Sequence, residues 1–223
     1  MTFLQQSLGQ IAREIPGATD VFHDYKLDFC CGGAHTLQEA AAKKGLDPAP
    51  IAERLTQLVA QAQQAPRQWG EADMPELVDH IQSYFHERHR GQLPELARLA
   101  RRVEAVHRDH PACPAGLTSL LTEMGAELAN HMEREESILF PLLKDRQYGV
   151  SQGPIQVMQE EHDHHGENLA QLEALTHDMT PPAGACNTWQ ALYLGLRAFR
   201  EDLMQHIHLE NNVLFSQARS SAA

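Results

Sequence analysis

Two segments of this chain carry the same pattern. Leu117, Leu121, Met124, Leu128, His131, Glu135, Ile138 and Leu142 follow one another at steps of three and four residues. So do Trp189, Leu192, Leu196, Phe199, Leu203, His206, Glu210 and Val213. Residues spaced in this way share one face of a helix, and a face this apolar is a buried bundle seam. Each seam is interrupted by a histidine and a glutamate four residues apart. An unpaired carboxylate in an apolar core is costly and tends to take up a proton rather than stay charged. Two of them at equivalent places need a shared reason.

A third segment, Ile155, Met158, His162, His165, Leu169 and Leu172, puts histidines at two seam positions. Because residues i and i+4 point the same way, each His-x-x-x-Glu offers an imidazole and a carboxylate to one point. Two such pairs on facing helices supply two imidazoles and two carboxylates able to bridge, the construction of di-iron and di-manganese sites in bundles. Mixed imidazole and oxygen ligation suits iron, manganese or zinc. The competing reading is a buried polar network or a pH-responsive bundle.

A further helix should complete the site. Ile81, Phe85, His89, Leu93, Leu96, Ala100 and Val103 form one seam, which favours His89; His86 lies on an adjacent line through Leu93 and Ala100. His107 is 21 residues beyond His86, roughly 31 Å along a straight helix, and joins the same site only if Pro94 breaks that helix sharply. His164, His177, His208, Glu133 and Glu136 fall off the seams and are expected on solvated faces.

The long helical stretches cover roughly 75–107, 117–145, 154–177 and 186–215, with breaks at 111–116, 149–154 and 181–184 where Pro and Gly gather. Nothing alternates with period two, so the chain is expected to be all-α. Four long helices with short connections predict an antiparallel four-helix bundle, residues 76–220. A linker over 66–75 separates it from a small helical N-terminal domain, residues 1–65. That domain is expected to hold helices starting near Thr19-Asp20, from Thr36 to Lys44 and from Pro50 to Ala62, with a turn at Cys31-Gly32-Gly33.

A net charge of -12 argues against a nucleic-acid partner, which would want basic patches. No apolar run reaches the length of about 18 residues a membrane span needs. Met1 to Gln10 shows neither the basic nor the apolar region of a signal peptide, so a cytoplasmic protein with reduced thiols is expected. Four cysteines in 223 residues do not suggest a disulfide framework. Cys30 and Cys31 are adjacent, a poor geometry for bonding to each other, and Gly32-Gly33 after them keeps the backbone open. They read either as two ordinary thiols near a helix end or as a reactive pair. Cys113 and Cys186 read as incidental.

The histidines and glutamates resemble those of the hemerythrin-like family, whose four-helix bundle holds two non-haem irons. Hemerythrin itself presents two histidines four apart on its third helix and a His-x-x-x-x-Asp on its fourth. Here Gly166 stands four residues after His162, and the fourth helix has His206-x-x-x-Glu210. The missing imidazole leaves coordination open to solvent or a small ligand, unless His165 substitutes. The N-terminal part is more specific. Ala18-Thr19-Asp20-Val21-Phe22, then Asp28-Phe29-Cys30-Cys31-Gly32-Gly33, looks like the small cysteine-bearing domain of the repair-of-iron-centres family. Pro94-Glu95-Leu96, His131-Met132, Glu161-His162-Asp163 and Glu210-Asn211-Asn212-Val213-Leu214-Phe215 look similar too, so the resemblance covers nearly the whole chain.

Carried over, that resemblance implies iron ligands at His86, His131, Glu135, His162, His206 and Glu210, preferring His86 to His89. It implies two non-haem iron ions, bridged by Glu135 and Glu210 and by an oxo group. Glu127 and Glu161 are candidates to orient imidazoles or guide iron outward. It implies repair of iron–sulfur proteins damaged by nitrosative or oxidative stress, with Cys30 and Cys31 receiving iron, engaging a partner's cluster or exchanging electrons. The competing functions are a carrier or sensor of nitric oxide or dioxygen and a di-iron nitric oxide reductase, so conventional turnover stays open. Four imidazoles to two carboxylates is closer to a ligand-binding site than to the carboxylate-rich oxidases. A monomer or a homodimer fits equally well.

Overall fold

The computed structural model describes residues 3–15, 18–29, 32–61, 69 and 73–222. Among them the regular structure is helical; pairing of the sheet type is limited to one isolated bridge between Ser7 and Thr36. The chain is all-α, a helical bundle with a small N-terminal domain. Its contacts divide it into two compact units, residues 1–77 with 205–223, and residues 78–204.

The second unit holds most of the helical bundle, whose fourth helix runs on into the first unit. The first bundle helix starts as α5 (Met74–His80), passes through a π-helical turn at Ile81–His86 and continues as α6 (Glu87–Val106). The second is α7 (Leu117–Arg134), a π-helical turn at Glu135–Leu139, and α8 (Phe140–Lys144). The third is α9 (Tyr148–Leu175). The fourth is α10 (Asn187–Leu209), which leads through a π-helical turn at Glu210–Leu214 into α11 (Phe215–Ala222). Helix α6 packs on α7, and α7 and α8 pack on α9. Helix α10 is tied to α6 by Arg88 and Gln92, which both donate to Asp202, and to α9 by Arg200, which donates to Glu173 at 3.0 Å.

The connections follow from local chemistry. Gly116 precedes α7 with φ of 92°, a left-handed conformation that glycine adopts without steric cost. Arg146 takes a positive φ in the turn between α8 and α9. The break expected at 149–154 does not occur there: α9 already begins at Tyr148 and Pro154 lies inside it. Proline removes the bond to residue i−4 and its ring crowds that carbonyl; here residue i−4 is Val150, which lies at the exposed start of the helix. Pro94 inside α6 is accommodated in the same way, with exposed Arg90 four residues before it.

The seam residues of α6, α9 and α10 named above are buried, His89, His162, His165 and His206 among them. The second helix departs from expectation beyond Glu135. Ile138 is 50% exposed and Leu142 only half-buried, while Leu139 and Leu143 are buried. The cause is the π-helical turn. The Phe140 amide bonds the Glu135 carbonyl, five residues back instead of four. One extra residue in a turn moves every later side chain by one position relative to the core.

In the first unit, α1 (Leu8–Glu14), α2 (Ala18–Asp24), α3 (Leu37–Lys43) and α4 (Pro48–Gln61) enclose a core of Leu8, Ile11, Phe22, Leu37, Ile51 and Leu55. Ser7 caps α1 by accepting from the Gln10 amide. Thr36 and Glu39 form a reciprocal capping box at α3, each side chain accepting from the other's amide. The same unit contains the last stretch of the chain, where Gln217 donates to the Trp69 carbonyl at 2.8 Å.

Candidate metal centre

Within the bundle unit, four of the expected side chains converge. His86 closes one π-helical turn, Glu135 opens another, His131 lies one helical turn before Glu135, and His162 comes from α9. All four are essentially without solvent contact. The two oxygens of Glu135 face different partners. Oε2 lies 3.4 Å from His86 Nε2, and Oε1 lies 3.4 Å from His131 Nε2. A carboxylate whose oxygens are aimed at separate imidazoles has the geometry to bridge two ions.

The far sides of those imidazoles are held by carboxylates. His86 Nδ1 donates to Glu136 at 2.6 Å, and His131 Nδ1 donates to Glu161 at 2.8 Å. Fixing the proton on Nδ1 turns the Nε2 lone pair of each ring into the site. The carboxylates are steadied by arginines, Glu136 by Arg90 and Glu161 by Arg134. Partial burial pushes both carboxyls up, but the bonds from His86 and Arg90 to Glu136, and from His131 and Arg134 to Glu161, outweigh it. Each is held below the ordinary range and stays charged. His131 Nε2 and His162 Nε2 approach to 3.1 Å. Two neutral imidazole lone pairs repel at that distance, whereas a shared proton or a cation between them reconciles it.

His206 and Glu210 form the remaining pair, on α10 and at the start of its π-helical turn, with Nε2 and Oε1 3.2 Å apart and both side chains buried. Two groups have donor atoms all within 4.8 Å of one another. One is His86, Glu135, His206 and Glu210; the other is His131, Glu135, His162 and Glu210. Both glutamates are common to the two. Each group offers two imidazole nitrogens and two carboxylate oxygens, a donor set suited to iron, manganese or zinc. The buried donors, their fixed tautomers and the shared carboxylates therefore fit a pair of cations.

The other candidates fall elsewhere. His89 and His165 are buried but in neither group. His89 bonds Gln92 and meets Phe199 edge-on, and His165 packs edge-on against His131. Glu127 reaches no imidazole of the groups; it accepts from Asn168 at 2.8 Å and pairs with exposed His164. His107 lies tilted against Trp189 and bonds Cys186 Sγ at 3.1 Å. Cys113 and Cys186 are free thiols, and burial, followed by the charge of Glu104, pushes Cys113 up. Cys30 and Cys31 lie outside the described residues.

Two assignments to solvated faces are corrected. His208 is fully buried, against Phe29 and Asn212. Glu136, half-buried, is the partner of His86. No seam position announces Glu136, because the π-helical turn alters the phase there; its only sequence mark is adjacency to Glu135.

Comparison with known proteins gives two family matches. The hemerythrin HHE cation binding domain matches residues 77–218. ScdA_N, a domain of unknown function (DUF542), matches residues 4–59. Among curated proteins, the iron-sulfur cluster repair protein YtfE of Dickeya chrysanthemi is 49% identical over 218 residues, 98% of each chain. A probable iron-sulfur cluster repair protein of Haemophilus influenzae is 48% identical, covering 96% of this chain and 97% of its own. YtfE of Escherichia coli is 46% identical over 98% of both.

Proposed function

This chain belongs to the hemerythrin family, with the ScdA_N segment of the cluster-repair proteins before the bundle, and on that premise we propose that it repairs iron–sulfur clusters damaged by oxidative or nitrosative stress. Its close relatives are named as iron-sulfur cluster repair proteins. The cargo in this reading is iron, held as two non-haem ions by His86, His131, Glu135, His162, His206 and Glu210 and donated to the damaged cluster.

The observation that carries the reading is the sharing of Glu135 and Glu210 by two four-donor groups. Two carboxylates common to two cation sites are what a bridged pair requires, and an oxo group would complete the bridging. Four protein donors for each ion leave positions open, which favours exchange over permanent retention. His86 and His131 are aimed by Glu136 and Glu161, and those two carboxylates are partly exposed, giving the ligands a polar connection to solvent.

Cys30 and Cys31 are proposed to receive iron or to engage the client's cluster. The segments 1–65, 66–75 and 76–220 are proposed as the cysteine-bearing domain, the linker and the iron-holding bundle. The site of action is proposed to be the cytoplasm; among the described residues no helix is long and apolar enough to cross a membrane. A second reading, binding or reduction of nitric oxide or binding of dioxygen, is supported by the same open positions and by the ratio of four imidazoles to two carboxylates.

The test is metal content with an absorption spectrum, on the wild type and on a His131→Ala, Glu210→Ala double variant, followed by transfer to a nitric-oxide-damaged cluster protein. About two irons per chain, near-ultraviolet bridge bands lost in the variant, and recovery of the client's cluster are expected. Iron that stays on the protein while nitric oxide is consumed in many turnovers would favour the second reading. A variant that keeps both irons would sink the ligand assignment.

A further inference from the structure

The segment that flanks the two adjacent cysteines is clamped to the helix that carries His206 and Glu210. The clamp is Asn212, half-buried, two residues after Glu210 within the same π-helical turn. Its Nδ2 lies 3.5 Å from the Phe29 carbonyl and 3.2 Å from Nδ1 of the buried His208. Its Oδ1 lies so near Gly9 and Gly33 that a Cβ added at either would stand 2.7 and 2.9 Å away, closer than real side chains pack. The carboxamide thus packs against both glycines, and at Gly33 the backbone carbonyl of Phe29, 2.5 Å from such a Cβ, is the nearer obstacle. The Gly9 amide in turn donates to the Gly33 carbonyl at 2.9 Å, and the Gly32 amide to Asp28 at 3.0 Å. The Phe29 ring, buried, meets His208 edge-on at 5.5 Å.

Phe29 and Gly33 thus both lie against one side chain, and in the sequence only Cys30, Cys31 and Gly32 lie between them. His208 and Asn212 alternate with His206 and Glu210 along the same turns of helix. A shift of Glu210 on gaining or losing a cation would move Asn212 with it, because backbone atoms within one turn cannot move independently. We propose that Asn212 is a positioning residue that couples cation loading at His206 and Glu210 to the segment Asp28–Gly33, and so reports the state of the metal centre to the cysteines.

This rests on the iron-holding reading above, and the test separates the two. Hydrogen exchange of the peptides spanning residues 5–15 and 28–37 is measured in anaerobic protein, iron-free and after ferrous loading, with iron content recorded in parallel. In the wild type, exchange of both peptides is expected to change by about five-fold or more on loading, the lower end of typical coupling between sites. In Asn212→Ala the ratio is expected to fall to near one at unchanged iron content. Gln217→Ala, which removes a different contact of the same helix, is expected to keep the wild-type ratio.

If Asn212→Ala does not fold, Asn212→Asp decides. It keeps the shape but exchanges the donor to Phe29 for an acceptor, and the ratio should again collapse. Iron binding with a wild-type ratio in the Asn212 variants, or no iron dependence in the wild type, overturns the coupling. Loss of iron from both Asn212 variants overturns it too, since Asn212 would then be needed to hold the metal. A wild type that takes up no iron instead overturns the iron-holding reading itself.

Discussion

If the two donor groups each hold a cation, as proposed, Glu136 offers a way to weaken one and spare the other. Its carboxylate accepts from His86 Nδ1 at 2.6 Å and from Arg90 at 2.8 and 2.9 Å. His86 is fully buried and loses its charged acceptor in Glu136→Ala, and water entering at the partly exposed Glu136 position would restore only a neutral one. Leaving a buried donor unsatisfied costs about 1–3 kcal/mol. At about 1.4 kcal/mol per factor of ten, the upper part of that range matches the roughly 10–100-fold loss of affinity typical when a ligand's orienting partner is removed. His86 belongs to only one of the two donor groups, so the loss should fall on one ion. Competition against a ferrous chelator should then turn biphasic, with one equivalent leaving about 10–100-fold more readily and the second near its wild-type affinity. Glu136→Gln keeps an acceptor without the charge and should lie between. Equal weakening of both ions, or of neither, would show that His86 is not oriented through Glu136 for a single ion.

Two further outcomes follow from the same geometry. The register shift at Glu135–Leu139 makes Leu139→Ala cost about 2–5 kcal/mol as a core truncation, while Ile138→Ala should stay within about 0.5 kcal/mol; urea unfolding that ranks them the other way would refute the π-helical turn. Replacing Glu135 by leucine should abolish iron uptake, while the stability of the iron-free protein sets the relief of a buried carboxylate against the loss of the partner that His86 and His131 share. Iron content checks the first and thermal melts of the iron-free proteins the second; a large loss of stability would mean that Glu135 is structurally required without metal.

The seams were readable because burial selects residues at helical spacing. His131, Glu135, His162, His206 and Glu210 lie where steps of three and four put them. Periodicity failed where the helix departs from 3.6 residues per turn. At Ile81–His86 the π-helical turn directs both Phe85 and His86 inward, so spacing back from Leu93 leaves both His86 and His89 in line and leans to His89, although it is His86 that joins a donor group. The resemblance to the repair family supplied His86 instead. Beyond Glu135 the same effect replaced Ile138 with Leu139. His208 was missed for a different reason. Its burial comes from Phe29, almost 180 positions away in the sequence, and no local pattern encodes so distant a neighbour. Glu161 was legible because it adjoins His162, although the imidazole it orients is His131.

The two ends of the chain share one compact unit: residues 205–223 cluster with residues 1–77, although they continue the helix that begins at Asn187. The family matches divide the sequence between residues 59 and 77, whereas the compact units divide after Leu77 and a second time inside α10. The stretch bearing His206 and Glu210 is therefore sheltered by the N-terminal segment, through Phe29 on His208 and Gly9 and Gly33 on Asn212. A gene fusion that transplanted only the bundle portion would leave the His208 and Asn212 surfaces bare. The two portions are thus expected to be inherited together, since neither can be exchanged between proteins without its matching counterpart.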